Sequence, residues 1–182
     1  MKIANAVLAL LFLVPATSIA EVATATRAGF QVKHELAVAA PSAKAFATLT
    51  EIGRWWNPQH TYSGDAHNLS IELKAGGCFC ERLANGGSVR HLEVAYYEPG
   101  RVLRMTGALG PLQAHGLAGS LTLTVRDATP GNSVLALSYS VGGFMTDGVD
   151  KMARPVDMML GEQMTRLKSL IETGDPAQAK AR

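Results

Sequence analysis

The residues best suited to chemistry crowd into one stretch, GGCFCERLANGGSVRHLEV, Gly76 to Val94. It holds the chain's two cysteines, Cys78 and Cys80, together with Glu81, Arg90, His91 and Glu93. Asn85-Gly86 is a favoured two-residue hairpin turn, with alternating apolar residues on both sides. Such a turn predicts the pairs Arg82 with Val89, Glu81 with Arg90, Cys80 with His91, and Cys78 with Glu93. Side chains alternate between faces along a strand, so Cys78, Cys80, His91 and Glu93 are expected on one face. Sulfur, nitrogen and oxygen ligands are then near one another, and a metal-binding module is one reading. A lone C-x-C is a weak metal motif, however, and two adjacent strands seldom arrange four ligands tetrahedrally. A disulfide would have to bridge roughly 6.6–6.8 Å between Cα atoms in a regular strand. That is the far limit of disulfide geometry unless a bulge shortens the step. A redox pair is more often C-x-x-C at a helix start. The default is two small, half-buried strand residues, and no metal or other cofactor is assigned.

The opposite face carries Phe79, Glu81, Leu83, Ser88, Arg90, Leu92, Val94 and Tyr96. It is the more apolar, so it is expected to be the concave, core-facing one. Glu81 and Arg90 would then point inward as a pair, because an isolated buried charge is very costly. They either orient the polar end of a ligand or form a salt bridge at the sheet rim. Upstream, RWWNPQHTYSGDAHN, Arg54 to Asn68, gathers tryptophans, histidines and a tyrosine in a segment rich in turn formers. Loops of that kind often form the mouth of a site. Trp55 or Trp56 is expected to wall a pocket, with His60 and Tyr62 facing the ligand. The alternative makes one tryptophan a core plug and leaves the histidines exposed. His34 is expected to be buried and His115 exposed. No Ser-His-Asp order, phosphate-cradling glycine loop or zinc-protease helix occurs.

These residues need elements to position them. Alternation from Phe30 to Val38 predicts a strand with one buried face. Pro41-Ser42 opens a short helix. Strands are expected over Ser70–Leu73, Cys78–Leu83, Ser88–Tyr97, Arg101–Thr106, Gly116–Asp127 and Ser133–Val141, separated by glycine turns. The spacing of Val149, Met152, Val156, Met159, Leu160, Leu167 and Leu170 predicts a long helix ending at Gly174. Pro155 should kink it or mark a joint. Met152, Met158, Met159 and Met164 make it rich in a side chain that adapts its shape. The fold class is therefore α+β: a curved antiparallel sheet of six to seven strands wrapped around a long C-terminal helix. A cavity is expected between them, lined in part by Phe79, Leu92, Met152, Val156 and Met159.

The ends bound the setting. Residues 1–20 have Lys2, an apolar run too short to span a bilayer, and a small-residue exit. This predicts a secretory signal peptide cut between Ala20 and Glu21. Residues 21–28 read as a linker, 29–173 as one domain and 174–182 as a flexible tail. The mature protein is expected to be exported, most simply to a bacterial periplasm, with no membrane span. A formal net charge of +2 without basic clusters argues against nucleic acid as a partner.

The order of elements, with GGCFCERL, GGSVRHLEV and EPGRVLRM, resembles the SRPBCC superfamily, also called START or birch-pollen-allergen-like. The polyketide cyclase/dehydrase-like and chaperone-ATPase-activator-homologue-like branches are the nearest, over Phe30 to Glu172. The resemblance implies a helix-grip fold with a cavity for a small apolar or amphipathic molecule. It leaves three readings: a non-catalytic binding protein, a cyclase- or dehydratase-like enzyme, and the metal module. The enzyme would use Glu81 with His60 or His91 as acid and base. An exported chain would not meet a cytosolic chaperone, and protein partners are not specified.

Overall fold

A computed structural model of the chain describes residues 19–178. Its sheet has eight antiparallel strands in the spatial order β1-β2-β8-β7-β6-β5-β4-β3. They are β1 Ile19–Thr26, β2 Gly29–Val38, β3 Leu69–Ile71, β4 Cys78–Arg82 and β5 Ser88–Glu98. The last three are β6 Val102–Thr106, β7 Ala118–Asp127 and β8 Ser133–Gly142. Helix α1, Ser42–Thr50, follows β2, and α2, Ala153–Thr173, ends the fold. This is a helix-grip architecture: α2 packs on β2 and α1, and the sheet curves around it.

The expected alternation in β2 is observed, with Phe30, Val32, His34, Leu36 and Val38 all buried. Leu103, Met105, Leu121, Leu160 and Met164, each at most 2% exposed, fill the space between sheet and helix. His34 fits this core because Gly161 faces it: a Cβ there would lie 2.9 Å from the imidazole Cε1. A short 3-10 turn, Val149–Met152, leads into α2, so Pro155 sits in the helix's first turn. There its missing N–H costs no hydrogen bond, and the joint replaces a kink. Gly174, at φ 82°, caps the helix by donating its N–H to the Leu170 carbonyl.

The strand count is corrected from six or seven to eight. The extra strand is β1, which runs through the expected linker 21–28 and pairs along β2. Residues 23–26 of β1 are exposed, so backbone hydrogen bonds rather than apolar burial hold it. The expected signal peptide lies outside the described residues except for Ile19 and Ala20, which begin β1. Of the expected tail, Pro176–Gln178 form a 3-10 turn, and the Ser169 hydroxyl donates to the Asp175 carbonyl at 2.8 Å. Among the described residues, no helix is long and apolar enough to cross a membrane.

The β4–β5 hairpin differs most from expectation. Its loop runs from Leu83 to Gly87, with Asn85 at φ 60° and Gly86 at φ 79°, and the Leu83 N–H donates to the Gly87 carbonyl. The first pair is Arg82 with Ser88, which moves the register by one residue. A bulge on β5 opposite the Phe79–Cys80 step gives that residue back, so Cys78 still faces Glu93. The extra residue is His91. A bulge interrupts alternation, and His91 and Leu92 are consecutively buried. Arg90 turns outward instead, to an exposed ion pair with Glu93 at 3.0 Å. The expected Glu81–Arg90 pair is therefore not formed.

Candidate functional site

Glu81 is wholly buried on the inner face of β4, as alternation requires. Its partner is His91 on β5, with Nε2 2.9 Å from Glu81 Oε2. The second carboxylate oxygen accepts the Ser63 backbone N–H from the loop before β3. Burial by itself would raise the Glu81 pKa. The Ser63 hydroxyl and N–H, the Tyr62 N–H and His91 outweigh it and hold the carboxyl below the ordinary carboxylate value. At neutral pH the carboxylate is thus ionised and can only accept. His91 Nε2 therefore carries the proton between them. His91 Nδ1 is buried and has no hydrogen-bond partner among the described residues.

His91 sits between two rings. The Tyr62 ring stacks on it with centroids 5.9 Å apart and planes 23° apart, and Phe79 lies 5.1 Å away on β4. Trp56 meets Phe79 edge-on at 5.9 Å. The loop carrying Trp56 to Ser63 is irregular but firmly tied. Trp56 Nε1 donates to the His60 carbonyl at 3.0 Å, and the Asn57 N–H donates to the buried Gln163 side chain at 2.7 Å. Arg166 Nε reaches the Trp55 carbonyl at 2.9 Å. From the other side, the loop between β6 and β7 brings Leu109, Gly110 and Pro111 over the same place. The Tyr139 hydroxyl anchors that loop, accepting the Leu109 N–H at 3.0 Å and donating to the Gly107 carbonyl at 3.2 Å.

These elements enclose a pocket of about 210 Å³ at one end of the sheet–helix interface. It is lined by Trp56, Gln59, His60, Thr61, Tyr62, Phe79, His91, Leu109, Gly110, Pro111 and Met159. Of the residues expected at a ligand site, Trp56, His60, Tyr62, Phe79 and Met159 are brought together with the catalytic candidate His91, and Glu81 lies behind it. Trp55 is a core plug, 2% exposed, whose Nε1 donates to the Leu49 carbonyl. Arg90 faces solvent, Leu92 and Val156 belong to the core, and Met152 packs against it from outside the pocket. His60 stands at the rim, paired with Glu162 on α2 at 3.1 Å rather than with Glu81. The expected interior cavity is corrected to this end pocket, because apolar side chains fill the centre.

The metal constellation is also dispersed. Cys78 and Cys80 form a disulfide across one intervening residue, with Cα atoms 5.3 Å apart. That is well inside the separation of a regular strand, and the bulge lies opposite. His91 faces the other side of the sheet. Among the described residues, no group of three or more His, Cys, Asp or Glu side chains is placed to hold a metal.

Sequence reasoning missed Ser63, Gln59 and Tyr139. No local pattern marks Ser63, which acts through its backbone, or Tyr139, which looks like any inward strand aromatic. The Gly- and Pro-rich run from Gly107 to Gly116 was the one visible sign that a loop covers this end.

No family model matches the chain, and no curated protein is similar to it in sequence. Similarity appears among solved structures. EF2215 from Enterococcus faecalis, of unknown function, superposes with TM-score 0.61 at 19% identity, covering 91% of this chain and 82% of that one. DynU16, from the dynemicin biosynthetic locus, gives TM-score 0.57 at 16% identity over 81% of this chain and 49% of its own. Ara h 8.0201 gives TM-score 0.54 at 14% identity over 79% of this chain and 97% of that one. At these identities what such neighbours establish is the fold, an α+β helix grip.

Proposed function

We propose that this chain is an exported binding protein that takes a small apolar or amphipathic molecule into the pocket at the end of its helix grip. The observation that carries this reading is the lining of that 210 Å³ pocket: aromatic and aliphatic side chains, joined by Gln59, His60 and Thr61, around the buried His91. Concave, mostly apolar sites with few convergent polar groups are the usual form of small-molecule sites. Burial of apolar ligand surface against these walls supplies affinity, and the few polar side chains fix orientation. Native mass spectrometry of protein purified from its own compartment tests it. A stoichiometric small organic adduct, recovered chemically unchanged after incubation, is the expected result. A bare chain whose tryptophan fluorescence is also unmoved by 1-naphthol would sink it.

The buried Glu81–His91 pair favours a second reading, a cyclase- or dehydratase-like enzyme. His91 Nδ1 would take a proton from carbon next to a carbonyl and return it to a departing hydroxyl, which leaves as water. Glu81 would hold the ring and stabilise the imidazolium formed between the two transfers. In that case the recovered ligand differs from the one supplied by one water, and His91→Gln abolishes the conversion while retaining binding.

A further inference from the structure

We infer that the Cys78–Cys80 disulfide is a thiol–disulfide exchange site through which the chain oxidises a dithiol. The incoming thiolate attacks Cys78 Sγ, and Cys80 leaves as the thiolate. This site is on the face of β4 turned away from the pocket, so it stands independently of the ligand reading.

Three observations converge on it. The first is access. Along β4, Phe79 and Glu81 are buried, while Cys78, Cys80 and Arg82 alternate with them on the outer face, the cysteines partly exposed and Arg82 exposed. The neighbours on that face are exposed too: Ser70 on β3 across from Cys80, Glu72 beside Cys78, and Arg90 and Glu93 on β5. The pair therefore sits in an open sheet surface, where a thiolate can approach it.

The second is how little the fold supports the bond. The two cysteines are two positions apart. The chain's support for a disulfide grows with the length of the loop it closes, and this loop is very short. Both ends also lie on one strand, whose pairing with β3 and β5 is made by backbone groups rather than by the sulfurs. Exposed disulfides that the fold does not hold closed are the labile ones.

The third is charge, which sets the direction. Arg90 lies opposite Cys80, and Arg82 follows Cys80 two residues along the same face. Directly opposed residues on one face have Cβ atoms about 4.5–5.5 Å apart. Cys78 is flanked by carboxylates instead, with Glu93 opposite and Glu72 on the β3 side, where the Glu72 N–H donates to the Cys78 carbonyl at 3.0 Å. Glu93 is paired with Arg90 and Glu72 with Lys74, whereas Arg82 makes no ion pair among the described residues. The surplus positive charge attracts a thiolate to this surface. Because it lies on the Cys80 side, it favours Cys80 as the departing thiolate.

The exchange balances without a further reagent. A substrate thiolate bonds to Cys78 Sγ, and the electron pair of the Cys78–Cys80 bond leaves on Cys80 Sγ. The substrate's second thiolate then attacks its own sulfur in the mixed disulfide and expels the Cys78 thiolate. The dithiol has become a disulfide, and its two electrons reside in the reduced cysteine pair, which takes up the two protons the substrate released.

The test mixes the oxidised chain with reduced glutathione, traps free thiols with N-ethylmaleimide and maps both adducts by mass spectrometry. Glutathione is expected on Cys78 and maleimide on Cys80. A synthetic peptide carrying two cysteines then serves as the dithiol, and one peptide disulfide should form for each chain reduced. Equilibrated in glutathione at the cytosolic poise, most of the pair should be dithiol. Arg82→Gln should slow the glutathione step about threefold or more, and raise the pH at which Cys80 of the reduced protein is alkylated, with Cys78 less affected. A pair that stays oxidised in that buffer, or leaves the peptide unoxidised, is a structural bond, and the inference is overturned. Glutathione found on Cys80, or an Arg82→Gln rate equal to the wild type's, overturns the assigned direction of attack.

Discussion

His91 Nε2 lies 2.9 Å from Glu81 Oε2, with the two side chains only 5% and 0% exposed. The pair exists because β5 carries one residue more than β4 at that point, which turns His91 to the face that regular pairing would deny it. A buried carboxylate left without its donor is strongly destabilising, whereas loss of both partners is far cheaper. His91→Leu should therefore cost about 3 kcal/mol or more. The double variant Glu81→Leu/His91→Leu should cost less than the sum of the single changes by at least about 1 kcal/mol. Urea unfolding of all four proteins measures this, and additive costs would show that the two side chains act independently.

The same carboxyl should be visible in acid. Burial pushes the Glu81 pKa up, but the Ser63 and Tyr62 contacts and His91 bring it below the ordinary value of 4.5. The unfolded chain then binds a proton more readily than the folded one. This contribution is fully present above pH 4.5 and is lost as pH falls through the lower folded value. Glu81→Gln should lower stability at neutral pH and flatten its fall below pH 4.5. Parallel acid-unfolding curves for the two proteins would show that Glu81 is not the group responsible.

Much of this architecture is legible in the residue order. Alternation from Phe30 to Val38 and the 3–4 spacing from Val149 to Leu170 are strong because each element buries one face. Edge strand β1 was not legible, since its exposed residues are held by backbone pairing that leaves no apolar pattern. The site was half legible for a similar reason. Trp56, His60, Tyr62 and Phe79 were recognisable as types suited to a pocket wall. The inward turn of His91 depends on a loop one register wider than Asn85-Gly86 implies and on a bulge that compensates. Alternation alone therefore gave Glu81 the wrong partner, Arg90, and gave the cysteines a histidine that faces away from them.

A second buried histidine makes a distinct prediction. His34 Nε2 lies 3.0 Å from Asp157 Oδ1 between β2 and α2. Burial lowers its pKa below 6.5 despite the opposing pull of the Asp157 charge. As pH falls through 6.5, the unfolded chain takes the proton first, so His34 makes the protein less stable under mildly acidic conditions. Replacing it by His34→Phe should reduce the loss of stability just below pH 6.5. Thermal unfolding at pH 7 and 5.5 reads this out, and an unchanged difference between the two temperatures would exclude His34.

Cys78 and Cys80 close a loop of only three residues, the least that chain-entropy stabilisation can act upon. Cys78→Ala/Cys80→Ala should consequently cost only about 1–2 kcal/mol and leave the fold intact. Alkylation of the oxidised native protein should modify neither cysteine, and reduction should make both reactive. Two reactive thiols before reduction would show that the bond is not formed.

Tyr139 is the residue through which the core controls the pocket. Its side chain is fully buried in β8, and burial drives its hydroxyl up to about 12 against a smaller opposing effect from the Leu109 N–H. That hydroxyl bridges the Leu109 N–H and the Gly107 carbonyl, so one oxygen pins the start of the loop that lays Leu109 to Pro111 over the pocket. Tyr139→Phe keeps the ring and removes the bridge, leaving a buried donor and acceptor without partners at a cost of about 1–3 kcal/mol. The loss should be local. Hydrogen exchange at the Leu109 amide should accelerate, and any 1-naphthol affinity should fall severalfold, while the core amides of β2 and α2 keep their protection. If Leu109 exchanges no faster in the variant, the hydroxyl does not anchor the loop. A uniform rise in exchange across the sheet would instead assign Tyr139 to global stability, because its loss would then weaken every strand alike.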